Sequence, residues 1–154
     1  MRGRRQRRAA ARRRRWAGRS AVAAAALLAA IQFVPVARTN PPVQADVSAP
    51  PAVASILRRA CYDCHSNETR WPWYSRVAPV SWWLAEHVED GRKDLNFSEW
   101  PVFDFEEQVD TLSDIREQVG ERKMPLASYQ LGHPEARLDA EERKVLLEWA
   151  ADRR

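Results

Sequence analysis

Both cysteines of this 154-residue chain fall in "RRACYDCHSN", residues 58–67, and a histidine directly follows the second. The order is Cys61-x-x-Cys64-His65. Three ligating side chains in five positions can hold a metal, cycle between thiols and a disulfide, or attach a porphyrin. Spacing separates these chemistries. Thiols about one helical turn apart can add to two vinyl groups on adjacent porphyrin edges, and the next residue then projects its imidazole under the iron. Structural zinc usually takes four protein ligands, and Cys61, Cys64 and His65 leave one missing. A thiol–disulfide active site opens a helix after a strand in a βαβ unit, and no such unit is visible. A structural disulfide here would close a tiny loop and stabilise little. One covalently attached haem c is the expectation, with Cys61 and Cys64 as attachment sites and His65 as proximal ligand.

A distal iron ligand must come from elsewhere, and Met124, His87 and His133 are the candidates. Met124 precedes Pro125 in a loop before the terminal helix. Its thioether would give His/Met ligation and a raised potential, and the proline stiffens the loop that holds a weak ligand. The plain alternative is a methionine filling a core gap. His87 lies near an apolar helix face, where a hydrogen-bonded, partly buried histidine is the commoner outcome. His133 precedes Pro134 in a polar loop and suits a cap or surface role. Met124 is the expected ligand, with His87 or an open position as alternatives.

The elements that must position these residues read as helices. Val53, Ile56, Leu57 and Ala60 share a helical spacing, and Pro50 and Pro51 suit the start. A second helix runs from Pro79 to about Gly91, with Val80, Trp83, Leu84 and Val88 as its apolar positions. An irregular stretch ends at Pro101. A third helix covers about Asp104 to Val119, with Phe105, Val109, Leu112, Ile115 and Val119 on one face and Gly120 as its stop. Asp139 caps the last helix with Glu142 as capping-box partner, and Val145, Leu146 and Trp149 face inward. No strand-type alternation of useful length and no repeat is present. The expected fold is all-α: a small domain of about four helices with long loops. So little apolar bulk is where a cofactor often completes the core.

Five of the seven tryptophans (Trp71, Trp73, Trp82, Trp83 and Trp100) fall within residues 71–100. They suggest a wall packed on the porphyrin, an ordinary aromatic core, or a belt at a bilayer interface.

Charge divides the chain. Residues 1–19 carry ten arginines and no acid, while the remaining 135 hold 15 basic against 21 acidic groups. Residues 20–36 carry no charge. A positive region before an apolar run is the grammar of export. It argues against a nucleic-acid-binding tail, and no nucleic acid partner is expected. The arginines would stay cytoplasmic by the positive-inside bias. Four prolines in "ARTNPPVQADVSAPP" mark an extended linker. The expected organisation is a basic cytoplasmic tail (1–19), a signal anchor or transmembrane helix (20–36), with a cleaved signal peptide as the alternative, a linker (37–51) and a haem domain (52–154). That domain would lie on the periplasmic side of the cell membrane, where an oxidising compartment suits thiol chemistry.

"CYDCHSNETRWPWYSRVAPVSWWLAEHVEDGRKDLNFSEW" followed by "KMPLASYQLGHPEARLDAEERKVLLEW" resembles the bacterial haem-binding domain family, and so does the "IQFVPVARTNPPV" junction. The resemblance spans roughly residues 31–150. It implies a small, exported, cytochrome c-like domain, with Cys61 and Cys64 as thioether sites and His65 as proximal ligand. Met124 matches the methionine-proline position of the distal ligand in class I cytochromes c. Similar domains occur beside cytochrome c and di-haem peroxidase modules, which implies a redox protein partner. The tryptophan-rich segment 71–100 departs from ordinary cytochrome c.

No general base, nucleophile or second metal site is evident, so the expectation is a single-electron carrier and not an enzyme. A haem-based sensor or small peroxidase-like protein with an exchangeable distal site is the alternative.

Overall fold

The computed structural model describes residues 2–100 and 105–152, with side chains from residue 12 onward. Seven α-helices are present among them: α1 (Arg2–Ile31), α2 (Pro51–Ala60), α3 (Tyr62–His65), α4 (Val80–Asp94), α5 (Phe105–Gly120), α6 (Ala127–Gly132) and α7 (Ala140–Ala151). The described residues form no strand beyond a single bridge between Ala45 and Glu99. The fold is all-α, as the periodicity implies.

The core follows from the apolar stripes. Val53, Ile56, Leu57 and Ala60 of α2 are all buried. Proline at the first position of α2 fits because its missing N–H would have no partner there. α5 packs along α7, joining Leu112, Ile115 and Val119 to Leu146, Trp149 and Ala150, with Phe97 and Trp100 completing the cluster. The first residues of the predicted α5 face do not join it, since Phe105 is 70% exposed. Pro101 and Asp104, where the sequence ends one segment and starts another, lie outside the described residues. The capping box of α7 forms as expected. The Asp139 carboxylate accepts from the Glu142 N–H at 2.8 Å, and the Glu142 carboxylate accepts from the Asp139 N–H at 3.2 Å.

α4 corrects the sequence reading. It continues to Asp94 and buries Ser81, Leu84, Val88 and Gly91, while Val80 and Trp83 are exposed. At Gly91 the backbone of Cys64 lies against this face. α6 falls in a stretch expected to be loop and buries no residue.

α5 ends in a Schellman arrangement. The N–H of Lys123 donates to Gln118 O at 2.9 Å and that of Arg122 to Val119 O at 3.2 Å. The left-handed residue of this turn is Arg122, with φ 60°, and not Gly120. A Cβ in that region carries a steric cost that glycine avoids. Arg122→Gly is therefore expected to stabilise the chain by about 0.5 kcal/mol, the steric relief slightly exceeding the added chain entropy. Urea unfolding of the two proteins measures it.

The N-terminal region also differs from expectation. α1 stops at Ile31, so its uncharged part, from Ser20, holds 12 residues, about 18 Å of helix against about 30 Å of hydrocarbon. Among the described residues no helix is long and apolar enough to cross a membrane. The transmembrane helix expected over 20–36 therefore has no support in the fold. Gln32 instead ties the end of α1 to the domain. Its amide nitrogen donates to Ala78 O at 3.1 Å, and its amide oxygen accepts from Ala78 N–H at 2.9 Å.

Residues 37–50 form an extended strap bonded along its length. Arg38 donates to Ser75 O at 3.1 Å and Asn40 to Thr69 O at 2.9 Å. Arg92 reaches out from α4 to Thr39 O at 2.9 Å. Val47 enters the core at 7% exposure.

Candidate functional site

α2 delivers its last turn directly into the cysteine motif. Cys61 N–H donates to Leu57 O at 2.8 Å, and the Cys64 and His65 N–H groups both reach Cys61 O, at 3.1 and 2.9 Å. The single turn α3 thus sets Cys61 and Cys64 one turn apart with His65 beside the second. Both thiols are free. Phe97 N–H donates to His65 O at 2.8 Å and fastens the end of the turn.

The imidazole is oriented by α4. His65 Nδ1 lies 2.8 Å from Gly91 O and 3.2 Å from Leu95 O. Carbonyl oxygens only accept, so Nδ1 carries the proton and Nε2 keeps its lone pair for a metal. Gly91 makes this approach possible. A Cβ there would stand 2.9 Å from Cys64 O, inside contact distance of backbone.

Burial governs the titration of the site. It pushes the Cys61 thiol up to about 12, with the neighbouring Cys64 adding to the effect. Burial, then the charge of Asp63, pushes Cys64 up to about 11. Burial also lowers His65 from its ordinary value, against the carbonyls of Leu95 and Gly91. Thiols of a thiol–disulfide enzyme are shifted the other way. A neutral imidazole is the form that binds metal.

Two adjoining cavities open over the motif, of about 420 and 270 Å³. Both include Cys61, His65, Met124 and Pro125 in their walls, so they are lobes of one site. Leu57, Phe97, Ile115, Val119 and Leu146 give the larger lobe an apolar lining. Cys64, His87 and Tyr129 join the smaller one. An apolar cleft of this size with a few convergent polar groups is the usual form of a cofactor site. The free thiol pair, the oriented imidazole and the apolar walls fit a haem.

The candidate ligands separate here. Met124 is half-buried on the wall of both lobes. His87 borders the smaller lobe, but its Nδ1 bonds Trp83 O at 2.8 Å and its ring lies 4.1 Å from the Trp83 ring. His133 lines neither lobe. Its Nε2 accepts from Tyr74 OH at 2.8 Å, and its Nδ1 faces Glu135 at 3.1 Å. None of the five clustered tryptophans lines either lobe, which corrects the idea of a tryptophan wall on the porphyrin. Trp100 is core, while Trp73, Trp82 and Trp83 are exposed. Phe97 supplies the aromatic surface instead. Trp71 and Trp82 border a separate open cleft between the strap and α4, which contains neither cysteine. Among the described residues, no group of three or more His, Cys, Asp and Glu side chains is arranged to hold a metal ion.

The haem-binding domain family matches residues 26–152. The chain belongs to that family. No curated protein and no solved structure matches it. The family match begins within α1 and takes in the strap, in keeping with the bonds that tie both to the domain.

Three positions of this haem-binding domain carry weight that the sequence reading did not give them. Tyr62 and Asp63, between the cysteines, secure the motif on two sides. Tyr62 is buried, stacks on Phe97 at 5.1 Å, and donates to Asp46 on the strap. Arg58 also bonds Asp46, so strap, α2 and motif meet at one carboxylate. Asp63 turns toward the opposite side and accepts from Arg70 and Tyr129. Gly91 is the third. Its partner lies 27 positions away in Cys64, and spacing within one segment carries no signal of that.

Proposed function

We propose that this haem-binding domain carries one covalently attached haem c and passes single electrons outside the cytoplasm. Bound there, the haem would supply a one-electron iron couple. Cys61 and Cys64 are the thioether sites. His65 would be the proximal ligand, its Nδ1–H held by Gly91 O and its Nε2 left to bind the iron. Met124 is the distal ligand. The apolar lining from Phe97, Ile115 and Leu146 excludes water and favours a raised potential. The role is that of a carrier, not an enzyme, and a second redox protein is the partner.

The observation that carries this reading is the meeting of Cys61, Cys64, His65 and Met124 on one cavity. The place outside the cytoplasm follows from the arginine-rich segment, the uncharged stretch behind it and the oxidising conditions that thioether formation suits. The N-terminal segment would direct the chain to the membrane. Phe33 and Val34, both exposed, sit beside the Gln32–Ala78 junction and would lie closest to the lipid.

Visible absorption of the haem-loaded chain is the test. His/Met ligation gives a weak ferric band at about 695 nm. Met124→Ala is expected to abolish that band and to lower the reduction potential by roughly 100 mV or more, since the thioether favours ferrous iron. A spectrum unchanged by the substitution would remove Met124 from the iron. The rival reading, a sensor or peroxidase-like protein with an exchangeable distal site, draws on His87 and Asp90 in the wall of the smaller lobe. Rapid carbon monoxide binding by the unmodified ferrous protein would favour it.

A further inference from the structure

The only carboxylate inside the Cys61–His65 motif does something that attachment of a cofactor does not need. Asp63 is buried, its side chain 10% exposed. One oxygen accepts from Arg70 N–H at 3.0 Å and Arg70 Nε at 3.1 Å. The other accepts from Arg70 Nη2 at 3.2 Å and from the Tyr129 hydroxyl at 2.7 Å. Tyr129 belongs to α6, the helix that follows Met124-Pro125, and its ring forms part of the smaller lobe.

α6 has no other strong hold on the domain. It buries no residue, so no apolar face fixes it. Its fixed points are polar or stacked. The Tyr129 ring stacks on His133 at 4.2 Å and 14°, and His133 is held by Tyr74 and Glu135. Gln130 donates to Pro125 O at 2.5 Å, tying the helix back to the methionine loop. A continuous chain of bonds therefore runs from the cysteine motif through Asp63, Tyr129 and Gln130 to the residue after Met124.

We propose that Asp63 and Tyr129 are positioning residues for Met124, their hydrogen bond locking α6 to the cysteine turn and so fixing the methionine loop against the site. The proposal rests on Met124 as distal ligand. A bond from a hydroxyl to a buried carboxylate is charge-assisted and among the stronger kinds. Its loss loosens α6 and the side of the loop it holds, while the sulfur and the bond from Met124 N–H to Gln118 O remain.

The test uses the full-length, haem-loaded chain carrying Tyr129→Phe, Asp63→Ala or both. Tyr129→Phe keeps the ring and its stack on His133 but deletes the donor. Carbon monoxide binding to the ferrous protein is expected to speed up about tenfold in each single variant, the scale of one charge-assisted hydrogen bond. The ferric Met–iron band should weaken in step. The double variant should be no faster than the singles, because both remove one interaction. Hydrogen exchange of amides 126–132 should rise while amides of α7 keep their rates. Asp63→Ala also unpairs Arg70, so if it fails to fold, Tyr129→Phe alone decides. Variants with the unmodified band, carbon monoxide rate and exchange would overturn the proposal. An unmodified protein whose spectrum ignores Met124→Ala would overturn the ligand assignment instead, a different result.

Discussion

Gly91→Ala is expected to destabilise the chain by about 2 kcal/mol and to raise the reduction potential of its haem. The new Cβ would stand 2.9 Å from Cys64 O and 3.3 Å from both Cys64 C and Cys64 Cβ. These atoms belong to the fixed turn that holds the motif, so no flexible side-chain end can swing aside. α4 must move instead. Overpacking of this kind costs about 1–3 kcal/mol. Alanine is the better helix former by about 1 kcal/mol and opposes that cost. Displacing α4 also lengthens the bond from His65 Nδ1 to Gly91 O, for about 1 kcal/mol more. A weaker bond leaves the imidazole less basic, a poorer donor to ferric iron, and the potential moves up. Urea unfolding and a redox titration read both effects. An alanine variant with unchanged stability and potential would show that the contact between α4 and the turn does not shape the site.

His65→Gly is expected to have the largest spectroscopic effect. Neither remaining histidine is placed to substitute. His133 has both ring nitrogens engaged outside the cavity. His87 is held by Trp83 on a different part of the wall. Deleting the side chain leaves a gap beside Gly91 O and Leu95 O, the two carbonyls that face the imidazole. The low-spin spectrum should be almost wholly lost. Free imidazole should restore it, because the small molecule can fill the gap, donate to Gly91 O and bind iron with its other nitrogen. No recovery with imidazole would mean that the position does not ligate iron.

The parts of the fold that sequence made legible are those with a local pattern. The stripe through Val53, Ile56 and Leu57 marks α2 because each residue packs on the same core. Asp139 and Glu142 mark the start of α7 because a cap is a contact within four residues. α4 was misjudged at Val80 and Trp83, where apolar character and helical spacing suggested burial. The helix instead turns Ser81 and Gly91 inward beside Leu84 and Val88, and at Gly91 what it meets is chiefly the backbone of Cys64. α6 gave no signal because it buries nothing. The strap gave a misleading one. Its prolines exclude helix and suggest a free linker, while Val47 and Asp46 meet the core and the motif through partners distant in sequence.

The site divides in the same way. The Cys61, Cys64 and His65 unit is contiguous, so its geometry could be reasoned from spacing. Met124 stood out by the proline after it. The supports around them did not, because each is a long-range contact: Gly91 against Cys64, Tyr129 against Asp63, Asp46 against Tyr62. The tryptophans drew attention by number, yet the aromatic lining of the cavity comes from Phe97, held by His65 O through its own N–H, and from Tyr129.

The intact mass of the full chain, produced with a haem-attachment system and measured under denaturing conditions, tests the central claim most directly. Two thioether bonds survive denaturation, so a gain of about 616 Da over the bare polypeptide is expected, lost when Cys61 and Cys64 are both replaced by alanine. A chain that is coloured when folded yet weighs no more than its polypeptide would contradict covalent attachment, and with it the proposed role of the two thiols.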